Sequence, residues 1–223
     1  MAIKRYIATA DNTITNAYQM DLSTRGTGSN MGASDILESF VIHGQTSASI
    51  NATNAEQSRV LVEFPVSQLL DDIENGIVPS SSVSYHLRMF NAPHGDTTPL
   101  SYSLDFAMIS GAAWNEGRGL DMEQYTDLGA SNWVAAVEGT NWQGTGGDYF
   151  RNGAYSASYF FSGGLEDVDL NVDFAINKWR SGANANYGLI LKHKDNIVSG
   201  NEGTFYTKKF FSRTSDFHFK RPY

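Results

Sequence analysis

The residues of this chain best suited to chemistry are its acid pairs, Asp71 with Asp72, Glu116 with Asp121, and Glu166 with Asp167. Two carboxylates held a few ångströms apart can divide acid and base roles across a glycosidic bond. Neighbouring acids on β-rich chains more often occupy solvated turns, and spacing alone brings no two of these together, so no catalytic residue is assigned and no enzymatic role is expected. The histidines His43, His86, His94, His193 and His218 are scattered, without the HxxxH or HExxH spacing that sets two imidazoles on one helical face around zinc. The chain has no cysteine, which excludes disulfides, thiolate metal sites and thiol nucleophiles. Gly26-Thr27-Gly28-Ser29-Asn30-Met31-Gly32 looks like a phosphate loop at first sight, but it lacks the GK[ST] ending and misses the GxGxxG spacing. Asp, Glu and Asn oxygens in loops are ligands that calcium accepts. Calcium is therefore the one cofactor left open, although no EF-hand spacing is present, and no metal ligand is assigned.

Trp114, Trp133, Trp142 and Trp179 are the other candidates, because an exposed indole can stack on a sugar ring while a buried one anchors a loop or fills a core. Tyr125 and Tyr155 could join such a platform. Trp114 and Trp133 bracket the polar stretch WNEGRGLDMEQYTDLGASNW, as if each pinned one end of a long loop. Anchoring is the favoured role.

The elements that must position these residues show as period-two alternation. Val60, Val62, Phe64 and Val66 alternate with Leu61 and Glu63; Val83 to Met89, Tyr102 to Met108, Val168 to Phe174 and Tyr187 to Leu191 repeat the pattern. Each predicts a half-buried strand. Val66, Leu69, Leu70 and Ile73 have helical spacing before Asn75-Gly76 and predict a short connector helix, with a second helical turn near Ala175 to Arg180. Loops rich in Gly, Asn and Ser fall at residues 26–34, 111–119, 139–148 and 199–203. The 223 residues, 41% hydrophobic and 18% charged with 21 glycines, suit one all-β domain: an antiparallel β-sandwich or jelly roll over residues 1–223, with residues 1–35 as an extended arm or the first strands. A net charge of -8 argues against nucleic acid as a partner, and no apolar run is long enough to insert in a membrane or serve as a signal segment.

Several segments in order resemble the DNRLRE-type β-sandwich, a carbohydrate-binding-module-like domain of surface proteins and tailed-phage virion proteins. Arg59 to Phe64 is similar to its R-x-L-x-x-F strand, Val83 to Phe90 to the strand that follows, and Trp114-Asn115-Glu116-Gly117 to its tryptophan and acid motif. Val172 to Gly182 resembles the segment leading into W-x-x-G, Asn186-Tyr187-Gly188-Leu189 its N-Y-G-L, and Phe211-Ser212-Arg213 and Arg221-Pro222 its F-x-S-R-E and R-P. Thr214 stands where the family has an acid, and the chain given stops at Tyr223 where the family continues into another strand.

The resemblance, with a start (MAIKRYIATADNTITNAY) similar to virion proteins of tailed phages, implies a structural protein of a phage particle, in neck, tail or capsid surface, assembled in the host cytoplasm. Its expected partners are other virion proteins and further copies of itself in a ring or lattice. The alternative is an adhesion module that binds a host-surface glycan.

Overall fold

The structure is a computed structural model, described over residues 3–45, 51, 53–96, 100–126, 129–200 and 204–223. Its centre is β4 (Glu56–Glu63), where alternating Val60, Leu61 and Val62 are all fully buried. These three residues pair with two neighbours at once, β1 (Ala10–Thr15) and β12 (Leu189–His193), which therefore lie on opposite edges of β4. Beyond β12 come β6 (Tyr102–Met108) and then β10 (Ser156–Phe161), which ends the sheet on that side. The first residues of β4, Glu56 and Gln57, pair with β3 (Ile36–Ile42), which pairs in turn with β13 (Phe205–Phe211). All seven strands run antiparallel to their neighbours in one curled sheet.

One face of this sheet carries Val60, Val62, Leu104, Phe106, Met108, Leu189 and Leu191. A second layer covers it: the antiparallel pair β5 (His86–Met89) and β11 (Val168–Asn171), with helices α1 (Val66–Glu74) and α2 (Asp173–Arg180). Leu87, Met89, Val168 and Leu170 supply the strand contacts, and Val66, Leu69, Ile176 and Trp179 the helical ones. Burying a side chain the size of Phe106 contributes roughly 1.5–3 kcal/mol, so this layer carries much of the stability. Inward-facing Asp72 of α1 is satisfied by the Tyr6 hydroxyl at 2.6 Å and by Lys4 Nζ at 3.2 Å.

The opposite face, expected to be polar, is buried as well. Ile14, Leu61, Ala107 and Ile190 lie under a layer made mainly of loops, with short strands β2 (Ser29–Asn30), β7 (Asp121–Thr126), β8 (Ala135–Val137) and β9 (Thr140–Asn141). The half-buried reading of β4, β6 and β12 is thus corrected, because an irregular layer leaves no periodic signature.

The fold is all-β and antiparallel with few helices, as the alternation predicts. Four boundaries differ. β4 ends at Glu63, before Phe64 and Val66 of the expected strand, and β12 begins at Leu189 instead of Tyr187. The strand expected over Val168 to Phe174 ends at Asn171, and Asp173 opens α2 with its carboxylate accepting the Tyr85 N–H at 2.7 Å. The strand expected from Val83 begins only at His86. The predicted connector helix is present, the second helical turn is a two-turn helix, and a short helix, α3 (Asp195–Val198), follows β12.

Candidate functional site

Asp11, in β1, is 1% exposed, and around it converge three segments that are far apart in sequence. Its N–H donates to Glu116 Oε1 at 2.8 Å, and its Oδ2 accepts the Arg213 N–H at 2.6 Å. The Arg213 guanidinium holds both oxygens of Glu116, with Nε 2.5 Å from Oε1. Burial pushes the Asp11 carboxyl up to about 7, opposed by the Arg213 N–H and reinforced by the nearby Glu116 charge. The Gly26 to Gly32 loop sits in this knot, where Asn30 Nδ2 donates to Glu116 O and Ser131 O, and Asn30 Oδ1 accepts from Gly32 and Gly119. Its polar groups are spent on neighbouring backbone. The Trp114-Asn115-Glu116-Gly117 and Phe211-Ser212-Arg213 segments therefore meet as one partly buried ion-pair network. Thr214 adds a hydroxyl to Ser34 O at 2.6 Å.

In two of the acid pairs, Asp71 with Asp72 and Glu166 with Asp167, the two carboxylates go to different surroundings. Asp71 points outward on α1 while Asp72 faces Tyr6. Glu116 is committed to Arg213, and the Asp121 side chain lies outside the described residues. Glu166 Oε1 accepts the Ser162 N–H and hydroxyl and the Gly163 N–H, whereas Asp167 caps the Asn91 N–H. Burial works against the Glu166 charge, but the donors from Gly163 and Ser162 outweigh it and hold the carboxyl at about 2. The histidines are equally dispersed: His43 bonds Thr204 and Val198, His86 bonds Asp169, His94 faces Asp96, and His218 lies in a short C-terminal turn. His193 is stacked on Tyr102, and burial lowers its pKa to about 4. Among the described residues no group of three or more acids and histidines is placed to hold a metal ion.

All four tryptophans are buried, at 5–7% exposure. Trp114, Trp133 and Trp142 lie together on the second sheet face. Trp114 Nε1 donates to Tyr187 O and Trp142 Nε1 to Asn132 O, both at 2.8 Å, and the Arg59 guanidinium lies 4.9 Å from the Trp133 ring. Gly146 passes over Trp133 at φ +88°, where a Cβ would stand 2.8 Å from the indole. Gly188 enters β12 at φ +83°, where a Cβ would fall 2.2 Å from Val62 O. Trp179 is separate, in the main core, with Nε1 unpartnered. Beside it a surface groove of about 540 Å³ runs between the end of β4 and the α2–β12 loop, lined by Glu63, Phe64, Ser67, Asn184 and Asn186. Tyr155 stacks on Phe150 at 4.4 Å, and the Tyr125 side chain lies outside the described residues.

Lys208, which sequence reasoning passed over, is fully buried in β13. Its ammonium donates to Asn91 Oδ1 at 2.6 Å and to Gly164 O and Glu166 O at 2.8 Å, and burial lowers its pKa to about 8. The signal for it was present, since adjacent Lys208 and Lys209 in an alternating strand must face opposite ways.

The sheet margins are treated unequally. Beside β13, Ala92 N–H donates to Lys209 O and Phe211 N–H to Phe90 O. Glu116 caps the outward Asp11 N–H of β1, and Arg88 of β5 exchanges both backbone bonds with Tyr223. β10 pairs with β6 alone, and among the described residues nothing bonds its outer margin. An open margin of backbone donors and acceptors is chemistry for recruiting another strand. No protein-family model matches this chain, and no curated protein matches it.

Proposed function

We propose that this protein is a structural component of a phage particle and acts through assembly contacts made by its surface. The observation that carries the reading is the open margin of β10, with Phe160 61% exposed on a strand that has neither charge nor proline. Such margins are normally blunted in proteins that remain alone. Trp114, Trp133 and Trp142 and the Asp11–Glu116–Arg213 knot serve the same reading, because they hold long loops against the sheet as an assembly block requires. The phage setting comes from the resemblance of residues 59–223 to the sandwich of tailed-phage virion proteins. Mass spectrometry of purified particles tests it: the chain at a fixed copy number per particle is the expected result, and its recovery only from host cytosol would overturn the reading.

A second reading, glycan adhesion, draws on the groove beside Trp179. The Glu63 carboxylate there has no hydrogen-bond or ion-pair partner among the described residues, and burial raises its pKa above the usual range. Stacking on a tryptophan face is disfavoured by the burial of all four indoles, so a sugar would be held by Glu63, Asn184 and Phe64. A glycan array probed with the wild-type chain and Glu63→Gln decides it: this reading requires a hit that the variant weakens at least about tenfold, the scale of one charged hydrogen bond, and a silent array removes it.

A further inference from the structure

We infer that β10 pairs antiparallel with β10 of a second copy across a two-fold axis at Ser158, joining two seven-stranded sheets into one. This inference rests on the assembly reading above and names its partner.

The strand is self-complementary. Its sequence, Ser156-Ala157-Ser158-Tyr159-Phe160-Phe161, places three small residues before three aromatic ones. A two-fold axis perpendicular to a continuous sheet keeps each face on its own side, so paired residues must share parity. With the axis at Ser158, Ser156 stands opposite the second copy's Phe160 on the outer face, and Ala157 opposite its Tyr159 on the inner face. Phe160 and Tyr159 then each cover a small side chain instead of meeting another ring. The exposed Phe160 gains a neighbour, and Ser158, whose hydroxyl donates to Asp105 at 2.6 Å, meets its own copy on the axis.

The rest of the margin agrees. Pairing of β10 with β6 is continuous over all six residues, with no bulge to twist the strand away. No Lys, Arg, Asp, Glu or Pro interrupts it. The chain itself meets part of the other long margins, at Lys209 to Phe211 of β13 and at Asp11 of β1, whereas among the described residues β10 keeps free backbone donors and acceptors along its whole length.

The absence of cysteine makes the test direct, because an introduced thiol is the only one present. Ser158→Cys is expected to form a covalent dimer under mild oxidation, while Ser67→Cys on exposed α1 stays unlinked at the same concentration. Sedimentation should show the wild-type chain shifting from 24.5 kDa to twice that mass as concentration rises. Ser158→Glu, which sets like charges opposite each other, should weaken this at least about tenfold. Mixing Ser158→Glu with Ser158→Lys chains should restore the dimer, a rescue that misfolding would not give. A chain that remains monomeric at about 100 μM, far above the micromolar range of specific contacts, or a dimer indifferent to Ser158→Glu, overturns the inference. Presence in particles is measured separately, so a monomeric chain found at fixed copy number would sink the two-fold pairing and leave the assembly reading standing.

Discussion

On one face of the central sheet Val60, Phe106 and Leu191 pack against strands and helices; on the other, Leu61, Ala107 and Ile190 pack against three tryptophans carried on loops. Both faces exclude water, by different means. The first layer holds its shape through its own backbone hydrogen bonds, with apolar side chains filling the gap. The second has little regular structure, so indoles, Asn side chains and the Asp11–Glu116–Arg213 network must fix the course of its loops. A sheet can thus be sealed by irregular chain, provided large side chains anchor it and the freed backbone groups find partners.

The contrast can be broken one layer at a time. The largest expected effect is that of Phe106→Ala in the regular face, a loss of about 3–5 kcal/mol from the cavity it leaves, seen as a lower urea midpoint for the whole molecule. Arg213→Met leaves the buried carboxylate of Asp11 and the partly buried one of Glu116 near each other without a cation. It should cost about 2–3 kcal/mol, and near-ultraviolet circular dichroism of the tryptophan layer should change with it. Gly146→Ala forces a side chain into the Trp133 ring at a positive φ and should cost about 1–3 kcal/mol. Its signature is faster hydrogen exchange confined to residues 131–148, since a loop layer can open locally while the strands stay closed.

The last test sharpens the contrast through pH. Asp11 ionises near 4 in an unfolded chain and near 7 in the fold, so the folded state binds the extra proton between those values. Its contribution is fully present below about pH 4 and is lost as pH rises to 7, with a slope no steeper than about 1.4 kcal/mol per pH unit. Asp11→Asn removes that slope. The melting temperature of the wild type relative to the variant should fall from pH 4 to 8, and an unchanging difference would mean that Asp11 is not carrying the proton. Taking this difference cancels the contribution of His193, whose lowered pKa works oppositely: its stability is present above about 6.5 and lost as pH falls toward 4.

The two faces also differ in how well they read from sequence. The strands of the regular layer, and α1 with its Val66, Leu69 and Ile73 spacing, are visible because side chains facing a periodic partner must themselves be periodic. The loop layer gives only points: three tryptophans, the Trp114-Asn115-Glu116-Gly117 segment and the Phe211-Ser212-Arg213 segment were all singled out. That Glu116 and Arg213 touch could not be read, because 97 residues separate them and no local pattern encodes the meeting. Phe174 was misplaced because alternation runs on past Asn171, while Asp173, hydrogen-bonded to Tyr85, turns the chain into a helix. The open margin of β10 was out of reach for another reason, since a strand is at an edge only by virtue of what the remainder of the chain does.

The bond from Arg213 to Asp11 joins residues 202 apart, which orders events during synthesis. At about 5–20 residues per second, β1 spends ten seconds or more outside the ribosome before the arginine that shares its knot has been made. Through that interval Asp11 faces water and can ionise freely. The knot cannot close until Arg213 has been made, and until then the nascent chain must hold its second sheet face without it.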